Sequence, residues 1–267
     1  MKIFSGFTIG QYVPLDSVLH RLDPRVKLFS LAAMVCYIVF FASLYVYLFF
    51  IAVIHVMLFM SALEYSYIRR GLKPVFFLLG ITVFFNTFFT PGIVLWWHIT
   101  WDGVYFAVLF SLRIYLLVMI SILLSYTTSP LRLTDAIEYF FKPLKLFKIP
   151  VADLALTLTI AFRFIPTLAD ELDKLIKAQM SRGVDFSHGS LISKVKKLLP
   201  VFIPLFVSCF KRAEELADAM ESRGYRGGDH RTRREQLRFS SRDIFAVIVI
   251  TFCGVAGAML YIKAGYV

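Results

Sequence analysis

The chain has 267 residues and a net charge of +11; 58% of it is hydrophobic, 16% is aromatic, and the mean hydropathy is +0.72. A water-soluble domain of this length interrupts its apolar runs with charge far more often, so the composition excludes that class and defines an integral membrane protein. The basic excess is concentrated between Arg132 and Arg242, which makes it a marker of topology rather than of nucleic-acid binding.

Met1 to Leu22 is mixed and loop-like, with Gly6, Gly10 and Pro14, and lacks the continuous apolar region of a signal peptide. Asp23-Pro24 then predicts a helix start, with Asp as N-cap and Pro at the first helical position. From Leu28 to Met60 the sequence is almost uncharged. One helix of that length would run to roughly 50 Å against a hydrocarbon core of about 30 Å, so a break is expected near Ala42-Ser43-Leu44. Glu64, Arg69, Arg70 and Lys73 mark the next connection. A third span is expected from Pro74 to about Thr90, ended by Pro91-Gly92 and followed by an interfacial connection with Trp96, Trp97 and Trp101. The fourth span, about Val104 to Tyr126, carries Arg113, and a last span runs from Ile244 to Ile262.

The expected fold is therefore an all-α integral membrane protein of about five transmembrane helices. Its expected parts are an N-terminal segment with helices one to four (1–128), a cytoplasmic region of two long amphipathic helices and one short helix (129–241), and the last transmembrane helix (242–267). Arg21, Arg25 and Lys27, then Arg69, Arg70 and Lys73, then the basic 127–242 region fall on one side of five spans, whereas the 42–44 and 91–102 connections hold no Lys or Arg. The N-terminus and the 129–241 region are accordingly expected in the cytoplasm. Two runs in that region are ambiguous: Val151 to Ala169 is long enough to cross but includes Asp153, Arg163 and Pro166, and Leu198 to Phe210 is too short. Both read as helices lying against the inner face of the membrane with charged second halves in the cytosol; the alternative is that both cross, which leaves the orientation of the other spans unchanged.

Two repeats close the long cytoplasmic helices: Ser181-Arg182-Gly183 and Ser222-Arg223-Gly224. Leu168, Leu172, Leu175, Gln179 and Arg182 keep one helical face, as do Phe210, Ala213, Leu216, Met220 and Arg223. Arginine in a last turn and glycine beyond it are common helix stops. Their repetition makes the two ends candidates for tips that plug into partner proteins.

Within the spans, Arg113 is a functional candidate because a guanidinium in hydrocarbon is costly. The alternative is a structural tether, to Asn86 or to a broken helix end. His55 and Asn86 suit interhelical hydrogen bonds, and Gly254, Gly257 and Ala258 form a small-residue packing face. Cys36, Cys209 and Cys253 stand singly and read as small core residues. No catalytic, cofactor or metal site is expected. The phosphate-binding Gly-x-x-x-x-Gly-Lys loop, His-Glu-x-x-His and Gly-x-Ser-x-Gly are absent, and the spans lack paired carboxylates of the kind proton-driven carriers use. Arg231, Arg233, Arg234 and Arg238 have little aromatic interleaving, so contact with inner-leaflet membrane lipid explains them better than nucleic acid.

Several stretches resemble one family. They are Gln11-Tyr12 to Ser17 with His20-Arg21-Leu22-Asp23-Pro24-Arg25-Val26-Lys27, then Arg163-Phe164-Ile165-Pro166-Thr167-Leu168, then Ala178-Gln179-Met180-Ser181-Arg182-Gly183. The fullest is Asp218-Ala219-Met220-Glu221-Ser222-Arg223-Gly224-Tyr225-Arg226-Gly227, continued by Arg231-Thr232. Together, from about residue 10 to the C-terminus, they resemble the T component, the transmembrane coupling protein of energy-coupling factor transporters, related to the cobalt-type permease subunit. The resemblance implies a non-enzymatic subunit of the prokaryotic plasma membrane. It would link two ATP-binding-cassette ATPases to one substrate-binding S component that captures a vitamin or metal ion. It also places the coupling arginines at Arg182 and Arg223, with Ser181 and Ser222 where members often have Ala. The competing classes are a stand-alone carrier or channel with a regulatory cytoplasmic domain, and a passive membrane anchor.

Overall fold

The computed structural model describes residues 12–96, 99–186, 191–227 and 239–265. Gln11, Trp97, Arg231, Thr232, Arg233, Arg234 and Arg238 lie outside the described residues. Among the described residues the regular structure is helical apart from a five-residue antiparallel hairpin, β1 (Val94–Trp96) with β2 (Ile99–Thr100). The described residues form two compact units, one within 12–136 and 239–265, the other within 137–186 and 191–227.

The first unit holds α1 (Pro24–Phe40), α2 (Leu44–Met60), α3 (Tyr65–Phe89), α4 (Trp101–Thr127) and α8 (Ser241–Ala264). α1 starts as the sequence predicts: Pro24 occupies its first turn and the Asp23 carboxylate accepts the Arg25 N–H at 2.8 Å. The break between α1 and α2 falls at 41–43, so each is 17 residues, roughly 26 Å, a little under the bilayer core. Their packed core includes Ile38, Val46, Tyr47, Phe50 and Ile54, closed by Leu116 and Met119 of α4.

α3 begins at Tyr65 rather than at Pro74, which sits inside it. The polar turn carrying Arg69, Arg70 and Lys73 is thus helical. The proline removes one ladder bond, and close packing compensates: Gly71 lies so near Ile122 of α4 that a Cβ would come within 2.8 Å of it. At the far end, Thr100 caps α4 by accepting the Gly103 N–H at 3.1 Å and donates to the Thr90 carbonyl at 2.8 Å. Trp101 is therefore the first residue of α4, not part of the connection.

α8 packs on α1 and α2 through its glycines, as the small-residue face predicts. Gly254 lies directly against the Tyr37 ring and Gly257 against Phe50. Its start carries a capping box in which Asp243 accepts the Ser240 N–H at 2.7 Å. The cysteine expectation fails at Cys36, which is exposed on α1, while Cys209 and Cys253 are half-buried.

The second unit holds a 3-10 helix (Lys142–Phe147), α6 (Val151–Ser181) and α7 (Leu191–Ser222); α5 (Pro130–Phe141) precedes them in the chain. Among the described residues, four helices are long and apolar enough to cross a membrane: α3, α4, α6 and α8, with α2 as a shorter apolar helix. α6 meets that criterion because its first half, from Val151 to Ala169, is nearly all apolar; its second half carries the charge.

Candidate functional site

α6 and α7 run antiparallel, and three contacts fix their register. The Arg212 guanidinium meets the Glu171 carboxylate at 3.3 Å, Gln179 Nε2 donates to the Pro200 carbonyl at 3.5 Å, and the Tyr225 hydroxyl donates to Asp153 Oδ1 at 3.1 Å. The second has a clear cause. The Pro200 carbonyl would accept from residue 204 in a regular helix, but Pro204 has no N–H. Gln179 satisfies the acceptor that the proline leaves open.

The apolar stripe is only partly buried against the neighbouring helix. Leu168, Leu172, Leu175 and Gln179 of α6 are half-buried, as are Leu216 and Met220 of α7, while Phe210 and Ala213 are exposed. Between the helices lies a cavity of about 230 Å³ lined by Ile160, Phe164, Leu168, Cys209, Leu216 and Met220, among others.

Both helices end in the same local structure. The Val184 N–H reaches the Gln179 carbonyl at 3.1 Å and the Gly183 N–H reaches Met180 at 2.9 Å. In α7 the Tyr225 N–H reaches Met220 at 3.0 Å and the Gly224 N–H reaches Glu221 at 2.8 Å. Each is a Schellman closure with a left-handed glycine at C′, φ +85° at Gly183 and +74° at Gly224. The serines turn back on their own helices, Ser181 Oγ to Lys177 O at 3.1 Å and Ser222 Oγ to Ala219 O at 3.0 Å. Arg182 and Arg223 are left as the exposed terminal side chains, and neither guanidinium has an ion-pair partner among the described residues.

Because the helices are antiparallel, the two arginines sit at opposite ends of the pair. The Gln179–Pro200 contact sets the Arg182 end beside the first third of α7. Arg223 lies more than twenty residues further along α7, which separates the tips by roughly 35 Å. Helical periodicity identifies both tips but has no means of placing them relative to each other.

Arg113 resolves toward a broken helix end. Its guanidinium donates to the Val39 carbonyl at the C-terminus of α1, and the Tyr47 hydroxyl donates to Ile38 O at 3.4 Å. These groups satisfy acceptors that the α1–α2 break leaves without helical donors. Asn86 is not the partner: its Nδ2 donates to Thr82 O of its own helix at 2.8 Å. Nor does Asn86 bridge helices, since Thr82 lies one turn back and within reach. His55 does, with Nδ1 donating to Ile51 O at 2.8 Å and Nε2 facing the Tyr115 hydroxyl of α4 at 3.5 Å. Among the described residues, no group of three or more His, Cys, Asp or Glu side chains is placed to hold a metal.

The fold and site together define an all-α integral membrane protein that carries a paired-helix unit with two matched cationic tips. The profile of the cobalt transport protein family, CbiQ, matches residues 16–234. A Brevibacillus brevis protein named energy-coupling factor transporter transmembrane protein EcfT is 46% identical over 261 residues, covering 96% of this chain and 98% of its own. The proteins of the same name from Ruminiclostridium cellulolyticum and Lactococcus lactis are 44% and 43% identical over 250 and 247 residues. Those matches cover 92% and 91% of this chain, and 94% and 93% of the relatives. The chain belongs to the CbiQ family of transporter membrane components.

Proposed function

We propose that this chain is the transmembrane coupling subunit of an energy-coupling factor importer. It transmits ATP-driven motion from two cytosolic ATPases to a separate S component that captures a vitamin or metal ion. The observation that carries the proposal is the pair of identical glycine-closed helix ends, each presenting an exposed arginine at an opposite end of one antiparallel pair. That arrangement supports a reading of one tip for each of two ATPases. A guanidinium offers a planar five-donor fork to carboxylates or carbonyls in a groove of the partner. When the ATPases close and reopen, tips about 35 Å apart are displaced relative to each other, and the paired helices convert that displacement into a change of their apolar faces.

Those faces are wide. Leu154, Leu158, Leu199, Phe202, Phe206 and Val207 are exposed along the apolar halves of α6 and α7, and this is the surface assigned to the S component. The chain itself performs no chemistry; ATP hydrolysis belongs to the partners. The N-terminus and the tips face the cytoplasm, consistent with the basic residues around α1 and α3.

The test is co-expression of the chain with its two ATPases and an S component. Arg182→Glu and Arg223→Glu each reduce co-purification of the ATPases by about tenfold or more, as expected for a buried arginine anchor, with membrane insertion unchanged. Wild-type assembly and uptake in the double variant would exclude the mechanism, and transport by the chain alone in liposomes would replace it with a carrier.

A further inference from the structure

The first unit contains a second feature, independent of the tips. A cavity of about 670 Å³ opens between the C-terminal half of α2 and the N-terminal half of α8, floored by α1 and α4. Its walls are apolar, with Met34, Ala52, Ala246 and Cys253 at the deep end and along the sides. At the mouth stand two cations, Lys27 and Arg242. We propose that the groove is a binding site for one acyl chain of an anionic phospholipid, whose headgroup phosphate rests on Arg242 and Lys27.

The depth of the groove favours a lipid chain over a protein segment. Along α8 it runs from Arg242 to Cys253, eleven residues or about 16 Å, which is one leaflet of a 30 Å hydrocarbon core. It stops there because Gly254 brings α8 directly against the Tyr37 ring of α1. A membrane-crossing helix of a partner needs a groove through both leaflets, and this one closes at the middle. Apolar walls left without contacts lose dispersion energy, and the rim residues Val56 and Phe245 are exposed, so the groove is open to the bilayer from the side.

Charge at the mouth selects the headgroup. Arg242 is exposed and forms no ion pair among the described residues. Lys27 gives two N–H groups to the carbonyls of Thr127 (2.8 Å) and His20 (3.3 Å), leaving its third donor for a ligand. The acidic side chains at this end, Asp23 and Asp243, lie near Lys27, as does the further cation Arg132. Asp23 accepts from Arg25 N, and Asp243 accepts from Asp23 N and Ser240 N. With Arg242 the three cations outnumber the two carboxylates, so the net charge at this end is positive, and each such cation near an anionic surface favours binding several-fold.

The full-length chain, delipidated in detergent, is titrated with phosphatidylglycerol and with phosphatidylcholine of the same acyl chains, and bound lipid is counted by native mass spectrometry. One phosphatidylglycerol binds at least about fivefold more tightly than phosphatidylcholine, from the contribution of one basic residue near the surface. Arg242→Gln removes most of that preference, and Ala246→Trp, which fills the groove, blocks both lipids. Arg242 is exposed and its side chain makes no ion pair among the described residues, so its variant keeps the fold and the readout stands if the tryptophan variant is lost. Equal affinity for the two lipids would overturn the proposal, as would unchanged phosphatidylglycerol binding in Arg242→Gln. Displacement of the lipid by inorganic phosphate alone would overturn the acyl-chain part. None of these outcomes depends on ATPase coupling.

Discussion

The backbone N–H of Asp23 donates to Asp243 Oδ1 at 2.8 Å, across 220 positions of sequence. The same carboxylate accepts the Ser240 N–H through its other oxygen, so one buried side chain, 2% exposed, completes the starts of both α1 and α8. Hydrogen bonds to a charged acceptor are the stronger kind, and leaving these donors unpaired in a buried position is costly. Asp243→Ala should destabilise the chain by about 2 kcal/mol, read as a lower thermal unfolding midpoint in detergent. Asp243→Asn keeps an oxygen for one of the two donors and should fall between. An unchanged midpoint for the alanine variant would show that the two helix starts are held by other means.

The glycines at the tips test whether tip geometry matters apart from the arginine charge. Gly183 and Gly224 adopt left-handed φ, and the space a Cβ would occupy is open at both, so only backbone strain opposes a side chain. Gly224→Val should cost about 1–2 kcal/mol at that turn and reduce ATPase co-purification, while Gly224→Asn, which tolerates the conformation, should retain most of it. Equal behaviour of the two variants would mean that the Schellman closure is not required for docking.

The Gln179–Pro200 contact makes a prediction of a different form, a double-mutant cycle. Gln179→Leu alone strands the Pro200 carbonyl and should cost about 1 kcal/mol. In a Pro204→Ala background the regained N–H at 204 serves that carbonyl, and the same change should cost close to nothing. Identical costs in both backgrounds would rule out the compensation.

For Arg113, replacement by Met removes the donor to Val39 O and should lower stability by about 1–2 kcal/mol, part of the loss being offset by no longer burying a charge in hydrocarbon. Asn86→Ala should have less than half that effect, because its side chain bonds to its own helix. Chemical unfolding in mixed micelles ranks the two, and the reverse order would return Asn86 to the structural role.

Acid should loosen the N-terminal turn. His20 is buried beside Lys27, and burial first, then that neighbouring cation, hold its imidazole below the ordinary value of 6.5. The neutral ring accepts from the Ser17 hydroxyl at 2.7 Å and donates from Nε2 to Val13 O at 3.1 Å. The unfolded chain therefore binds more protons than the folded one just below pH 6.5, so stability is complete above that pH and declines as pH falls toward the folded value. Thermal midpoints measured between pH 7.5 and 5.5 should drop more for the wild type than for His20→Gln. Parallel curves would show that His20 does not contribute.

Much was legible in one dimension because it depends on local periodicity or on solvent. Hydropathy and basic residues revealed a helical membrane protein, the 41–43 break followed from helix length against bilayer thickness, and Asp23-Pro24 marked its helix start through cap chemistry alone. The matched Ser-Arg-Gly ends were visible because a Schellman closure needs only a glycine at the right step. Pro74 misled as a boundary: the helix continues through it, held by Gly71 against Ile122, and a contact with a residue fifty positions away has no local signature.

What the sequence determined by itself, then, is most of what is set within a few turns of helix: the apolar spans, the Asp23 cap, the 41–43 break, and the two helix ends that carry arginine. Only the tertiary structure decided that the tips point from opposite ends of one antiparallel pair, that Arg113 closes the end of α1 rather than meeting Asn86, and that Asp243 serves α1 as well as α8. The physical reason is common to all three. Each is a polar group finding a partner 21 to 220 positions away on another element, and such pairing is fixed by which helices pack together, not by the order of residues along any one of them.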